Sequence, residues 1–304
     1  MSRPPTSAAS GGETHPGSIP ELVVVPRLHD LGGLTVRRAL PHGKRQMVGP
    51  FIFLDHFGPV QFDAGQGMDV RPHPHIGLAT VTYLFEGCIL HRDSEGNIQE
   101  ITPGALNLMT AGRGIAHSER TPAGVRQASH GMFGLQSWIA LPMDQEEIAP
   151  SFQHVAADRL PIIEDRGLRA RVIAGAAFGV AAPVSRLSDW FYVEVALAAG
   201  AAAPLDPDHE ERALYLVDGE IEIAGELFAG PRLLVFRPGD RITVTAAQPS
   251  RLMFLGGARM EGPRHIWWNF VSSSQARIEQ AKEDWKAGRF PAVPDETEFI
   301  PLPG

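Results

Sequence analysis

The 304-residue chain has a single cysteine, Cys88. Intramolecular disulfides are therefore excluded, and any metal site must use nitrogen and oxygen rather than thiolate. Cys88 itself reads as a small residue buried in a strand. No run rich in Lys or Arg is present and the formal net charge is −8. That balance argues against direct binding of nucleic acid, which needs a basic footprint. Long apolar runs are missing too. The most apolar stretch, Phe191 to Leu205, is interrupted by Glu194, Gly200 and Pro204, so it is too short and broken to span a membrane. Met1 to Pro20 is rich in Ser, Gly, Pro and Thr without the apolar core of a signal peptide. It reads as a mobile tail on a cytoplasmic protein.

What the chain has in quantity is glycine (32) and proline (26), a composition of many turns and short strands. Alternating or β-branched runs recur at Leu22–Val25, Ala79–Phe85, Leu106–Met109, Arg169–Ala174, Phe191–Ala196, Leu214–Val217, Leu233–Phe236 and Leu252–Leu255. Turn signals such as Glu95-Gly96-Asn97, Pro103-Gly104 and Asp218-Gly219 separate them. The pattern predicts an all-β sandwich or barrel. Tyr83 to Gly87 followed by Pro103-Gly104 returns as Tyr215 to Gly219 followed by Pro238-Gly239-Asp240, which predicts a duplicated β-barrel. The expected layout is a tail over 1–20, a metal-binding barrel over 21–145, a linker over 146–168 and a metal-free barrel over 169–304. One helix is expected near the C-terminus. Ser272 and Gln275 form a capping-box pattern, Ile278, Ala281 and Trp285 recur at helical spacing, and Gly288 ends it.

Two short motifs carry the chemistry, His73-Pro74-His75 and His117-Ser118-Glu119. Each sets two ligand-type side chains at i and i+2, the same face of a strand. Two such strands side by side bring three imidazoles and one carboxylate to a common point. That donor set suits a divalent first-row ion, and a six-coordinate ion held by four protein ligands keeps positions open. Pro72 and Pro74 hold His73 in extended backbone. The second copy is an internal control. The same offsets from Gly219 and Gly239 fall on Leu205, Pro207, Leu252 and Phe254, none of which coordinates metal. His56 and Gln136 are candidates to line the cavity mouth, and Arg113 to hold Glu119 or an anion. His91, His130, His154 and His265 have no partner at ligand spacing and read as structural or exposed. Phe51, Phe53 and Phe133 are candidate apolar walls.

Taken together these stretches resemble the pirin family, a group of bicupins with two jelly-roll-like barrels in one chain. The likeness runs from Gly49-Pro50-Phe51 and Asp55-His56-Phe57-Gly58-Pro59 through His73-Pro74-His75-Ile76-Gly77 and His91-Arg92-Asp93-Ser94. It continues with Met109 to Gly114, His117-Ser118-Glu119, and Ile278 to Phe290, covering roughly residues 20 to 290. The resemblance implies that His73, His75, His117 and Glu119 bind one iron. General cupins often place a glutamate four residues after the second histidine, where this chain has Ala79; in pirins Glu119 stands in for it. The implied activity is that of a quercetin 2,3-dioxygenase-like oxidoreductase using Fe(II), O2 and a flavonol-like aromatic, with Glu119 as the proton acceptor. Manganese, nickel and zinc suit the same ligands. The alternative implied by the family is a non-enzymatic redox- or metal-sensing regulator that binds a protein partner.

Overall fold

The computed structural model describes residues 19–30 and 34–303. Of the tail expected over 1–20, all but Ile19 and Pro20 lies outside the described residues. The chain forms two barrels, each a seven-stranded sheet packed on a four-stranded one. In the first barrel the large sheet runs in the order Ser151–Val155, Leu106–Thr110, Leu78–Glu86, His130–Ala140, Phe51–Phe62, Thr35–Leu40 and Arg27–Asp30. Its small sheet runs Asp69–His75, Ile115–Arg120, Ile89–Asp93 and Ile98–Ile101. The second barrel repeats the plan, its large sheet centred on Glu211–Asp218, Ser250–Gly257 and Trp190–Leu197. Cys88 is half-buried in the turn after Leu78–Glu86 rather than inside a strand.

The large sheets of the two barrels face each other, which explains their nearly continuous apolar sequences. Along Leu78–Glu86 the residues Ala79, Val81 and Tyr83 join a core shared with the second barrel, whereas Leu78 and Leu84 face the interior of their own. Glu211–Asp218 alternates in the same way, with Ala213, Tyr215 and Val217 in the shared core and Leu214 and Leu216 inside. A strand buried on both faces loses the apolar-polar alternation of a half-exposed one.

The ends of the chain cross between the barrels. Leu22–Val24 pairs with Arg232–Phe236, Leu22 opposite Val235, and so becomes an edge strand of the second large sheet. The expected linker is not plain connection. Ser151–Val155 is an edge strand of the first large sheet, and Ile162–Asp165 an edge strand of the second. After its last barrel strand the chain returns to the first barrel. Phe270 bridges Ile76, and Ile278 and Ala281 of the helix Gln275–Lys286 pack on both. The Ile300 N–H then donates to the Pro72 carbonyl at 2.8 Å. The helix expected with the C-terminal barrel therefore covers the first one. Its cap is Ser274, whose Oγ accepts from the Arg277 N–H. Ser272 instead donates to the buried Glu146 at 3.0 Å. No helix among the described residues is long and apolar enough to cross a membrane.

Candidate metal centre

Asp69–His75 and Ile115–Arg120 are antiparallel neighbours, with His75 opposite Ile115 and His73 opposite His117. Beyond that pair the register slips, and Glu119 stands opposite Val70. The first strand thus carries one extra residue at Arg71-Pro72, a bulge where proline has no N–H to give the ladder. The bulge frees two carbonyls for other work. Arg71 O accepts from His73 Nδ1 at 2.9 Å, and Pro72 O receives Ile300 as described.

His73, His75 and His117 are buried, with their ligand nitrogens within 4.8 Å of one another. Each Nδ1 already has an outward partner. His73 donates to Arg71 O, His75 to Asn269 O at 3.1 Å, and His117 points Nδ1 at His91 Nδ1, 3.4 Å away. His91 Nε2 donates to Asp93 at 3.1 Å, which leaves His91 Nδ1 as an acceptor for the His117 proton. With every Nδ1 carrying its hydrogen, the three Nε2 lone pairs converge. His75 Nε2 and His117 Nε2 are 3.1 Å apart. Two lone pairs at that distance repel unless a cation lies between them. Nitrogens bonded to one ion at about 2.1 Å and at right angles stand about 3.0 Å apart. The residues present therefore fit a divalent ion. Burial pushes His73 down to about 4 and holds His75 and His117 well below the usual imidazole value, the neighbouring imidazoles adding to the effect. Neutral imidazole is the form that binds metal.

Glu119 lies outside the cluster of three but lines the same cavity. Its Oε1 accepts from the Thr82 hydroxyl at 3.1 Å, and Thr82 Oγ1 is 2.7 Å from Gln136 Oε1. One hydroxyl proton cannot serve both oxygens. With the Gln136 amide turned to present its NH2, the sequence Gln136 to Thr82 to Glu119 is satisfied throughout. Burial raises the Glu119 pKa, opposed by His91 and the Thr82 hydroxyl.

The cavity holds about 560 Å³ and is lined by Phe53, Trp138, Asp55, Arg38 and Gln136 besides His73, His75 and Glu119. Phe53 and Trp138 stack at 4.0 Å, and the Arg38 guanidinium lies 4.4 Å from the Phe53 ring centre. Trp268, Asn269 and Ile300 of the C-terminal segment complete the mouth. Trp268 and Asn269 form the two-residue turn between the paired strands His265–Trp267 and Phe270–Ser272. Trp268 sits at φ 51°, a conformation worth roughly 1 kcal/mol or more of strain for a non-glycine residue.

Several sequence expectations land elsewhere. His56 faces the second barrel, not the cavity, with its Nδ1 3.0 Å from the Tyr215 hydroxyl. Arg113 is exposed on the turn, where its backbone N–H donates to Ile148 O. Phe53 is a wall, but Phe51 and Phe133 belong to the core between the barrels. Counting also misplaced the second-copy counterparts of His117 and Glu119. Leu252 and Phe254 lie in the large sheet. The strand pair that corresponds to the histidine strands is Ala202–Leu205 with Ile242–Ala246, whose buried Ala203, Leu205, Val244 and Ala246 are all apolar. His91 was missed. Its partners are Asp93, two residues along its own strand, and His117 on the neighbouring one.

The first barrel matches the pirin family model over residues 33–139, and the second matches that of the pirin C-terminal cupin domain over 192–291. A pirin-like protein of Caulobacter vibrioides is 50% identical over 288 residues, spanning 93% of this chain and 99% of that one. The chain belongs to the pirin family. Its bicupin architecture is shared with a crystal structure of quercetin 2,3-dioxygenase from Acinetobacter baumannii, at TM-score 0.86 and 34% identity over 93% of this chain and 94% of that one. A bacterial pirin from Escherichia coli, YhhW, solved in complex with nickel(II), has the same fold at TM-score 0.60 and 20% identity, covering 77% of this chain and 96% of that one.

Proposed function

We propose that this pirin is a metal-dependent dioxygenase of flavonol-like aromatics, with Fe(II) held by His73, His75 and His117 and with Glu119 as the fourth protein ligand. The observation that carries the reading is the convergence of three committed Nε2 lone pairs beside a cavity of about 560 Å³ that His73 and His75 line together with an aromatic wall. That volume falls in the range of small-molecule pockets, roughly 300–1,000 Å³. Likeness to a quercetin 2,3-dioxygenase at 34% identity supports the substrate class.

The bound ion supplies a Lewis acid that acidifies a substrate hydroxyl and the redox chemistry that O2 demands. The protein's own groups do the rest. The stacked Phe53 and Trp138 rings form an apolar aromatic wall against which the substrate packs. Arg38, clamped by Asp55, braces the outer face of Phe53. Glu119, raised by burial, takes the hydroxyl proton, and Thr82 holds its other oxygen in place. Trp268 and Ile300 keep bulk water from the site.

The test is anaerobic reconstitution with Fe(II) followed by oxygen uptake across a set of flavonols including quercetin. The loaded protein consumes oxygen, and His73→Ala abolishes the uptake while the far-ultraviolet spectrum is unchanged. A loaded protein inert towards every flavonol overturns the enzymatic reading. Partner binding that changed on oxidation would then assign the regulatory role.

A further inference from the structure

His73 and His75 lean on backbone carbonyls, those of Arg71 and Asn269, which can only accept a proton. The third imidazole is different, because its outward partner is a side chain that can hold its proton on either nitrogen. Which one His91 uses is settled one step further away. Asp93 is fully buried. Its Oδ1 accepts the backbone N–H groups of Glu95 and Asn97, both at 3.0 Å, and the Asn97 side-chain amide at 3.0 Å. Its Oδ2 faces His91 Nε2 at 3.1 Å and also receives the Asn97 amide at 2.9 Å. The His91 ring is stacked on Phe152 at 4.6 Å and 20°, a contact that holds its orientation.

We propose that Asp93 and His91 are positioning residues that fix the proton of His117 on Nδ1 and thereby set the affinity of the three-imidazole site for a divalent transition ion. The inference rests on the metal reading above. Asp93 accepts, so His91 must donate from Nε2. His91 Nδ1 is then a bare lone pair, His117 must donate to it, and His117 Nε2 is left unprotonated toward the ion. Such outer partners typically change metal affinity 10- to 100-fold. A carboxylate behind two imidazoles also draws harder on the His117 proton than a neutral carbonyl does, making His117 the most electron-rich of the three ligands.

The surroundings of Asp93 supply a sharp test. In Asp93→Asn the three donors around Oδ1 demand an oxygen there, so the NH2 group must take the Oδ2 place. His91 Nε2 then faces a donor and must accept, its proton moves to Nδ1, and two N–H groups confront each other at His117. His91→Leu removes the acceptor. His91→Gln keeps it, because a glutamine can donate to Asp93 and accept from His117 together.

The experiment titrates chelator-treated protein with Co(II), follows the visible absorption of the bound ion, and ranks affinities against a competing chelator, with His75→Ala as the control that dismantles the site. Asp93→Asn and His91→Leu should bind 10- to 100-fold more weakly than wild type with a shifted cobalt spectrum, and His91→Gln should bind as wild type does. Wild-type affinity in Asp93→Asn, or equal loss in His91→Gln and His91→Leu, overturns the proposal. Should Asp93→Asn fail to fold, the two His91 variants decide, because they leave the Asp93–Asn97 turn intact. If wild type and His75→Ala bind Co(II) alike, the metal reading itself fails and this inference falls with it.

Discussion

His56 of the first barrel and Tyr215 of the second are joined across the interface, 3.0 Å from Nδ1 to the phenolic oxygen. The contact has a twin. Tyr83, Leu135 and His56 form one row of the first large sheet, and Tyr215, Met253 and Glu194 the matching row of the second. The Tyr83 hydroxyl donates to Glu194 at 2.6 Å. His56 and Glu194 thus hold equivalent places in the duplicated fold, and each engages the tyrosine of the other barrel. Arg171 and Arg251, each 3.8 Å from Glu194, complete the charged version of the pair.

The His56 contact makes stability depend on pH. Burial, with Arg37 adding, pushes the His56 pKa from 6.5 down to about 4. The folded state therefore favours the neutral ring. Its contribution is full above pH 6.5, shrinks as pH falls, and is gone below about 4. The whole effect is worth about 3 kcal/mol. His56→Gln can still bond to Tyr215 but does not titrate. Chemical denaturation at neutral pH and near pH ~5 should show wild type losing about 2 kcal/mol more than His56→Gln. Equal losses would show that His56 is not the titrating group.

Arg38 and Asp55 form a bidentate pair, both bonds 2.8 Å, with Asp55 only 3% exposed. Arg38→Met leaves that carboxylate buried without its counter-ion. The expected destabilisation is about 2–3 kcal/mol at neutral pH, below the value for a fully buried pair because Arg38 reaches solvent. The deficit narrows in acid, where Asp55, already raised by burial, takes up a proton. Arg38→Met with Asp55→Leu should recover most of the loss. Thermal denaturation of the two variants at two pH values reads all three outcomes.

Gly77 joins the metal strand to the C-terminal segment. It has φ 66°, and a methyl group there would land on the Val271 carbonyl oxygen. Gly77→Ala should push Phe270–Ser272 away and take the Asn269 carbonyl from His75. The backbone strain alone costs about 1–2 kcal/mol, so melting temperature and metal retention should fall together. Gly43→Ala, with nothing within 4 Å, should change neither. Metal retention unchanged in Gly77→Ala would show that His75 does not depend on Asn269.

The strands, the duplication and the two histidine motifs were legible because each is a local pattern. A run of β-branched and aromatic residues marks Leu78–Glu86, and spacing alone puts His73 and His75 on one face. The Arg71-Pro72 bulge was not legible, although Pro72 was the warning, since it is the residue that gives no N–H to the ladder. That one residue of slip sets Val70 rather than Arg71 opposite Glu119, which lies outside the imidazole cluster. His91 was missed for a related reason. His91 and Asp93 stand at the same i, i+2 spacing as the ligands, but their meeting with His117 is a fact of strand order, not of sequence. Ile278, Ala281 and Trp285 show that the helix has a buried face without showing which barrel receives it. The second-copy register failed because the two Pro-Gly turns are not equivalent. Pro103-Gly104 precedes Leu106–Thr110, whereas Pro238-Gly239 follows the corresponding strand Arg232–Phe236, so counting from these glycines lands one strand too far.

Because Leu22–Val24 is woven into the far barrel while the segment after Gly257 doubles back over the near one, the two halves are interlocked. A proteolytic nick in the connection between them, around residues 156–161, would not release two independent units. Each fragment would still grip a strand or helix belonging to its neighbour, and the cleaved protein would remain one particle until both ends were peeled away.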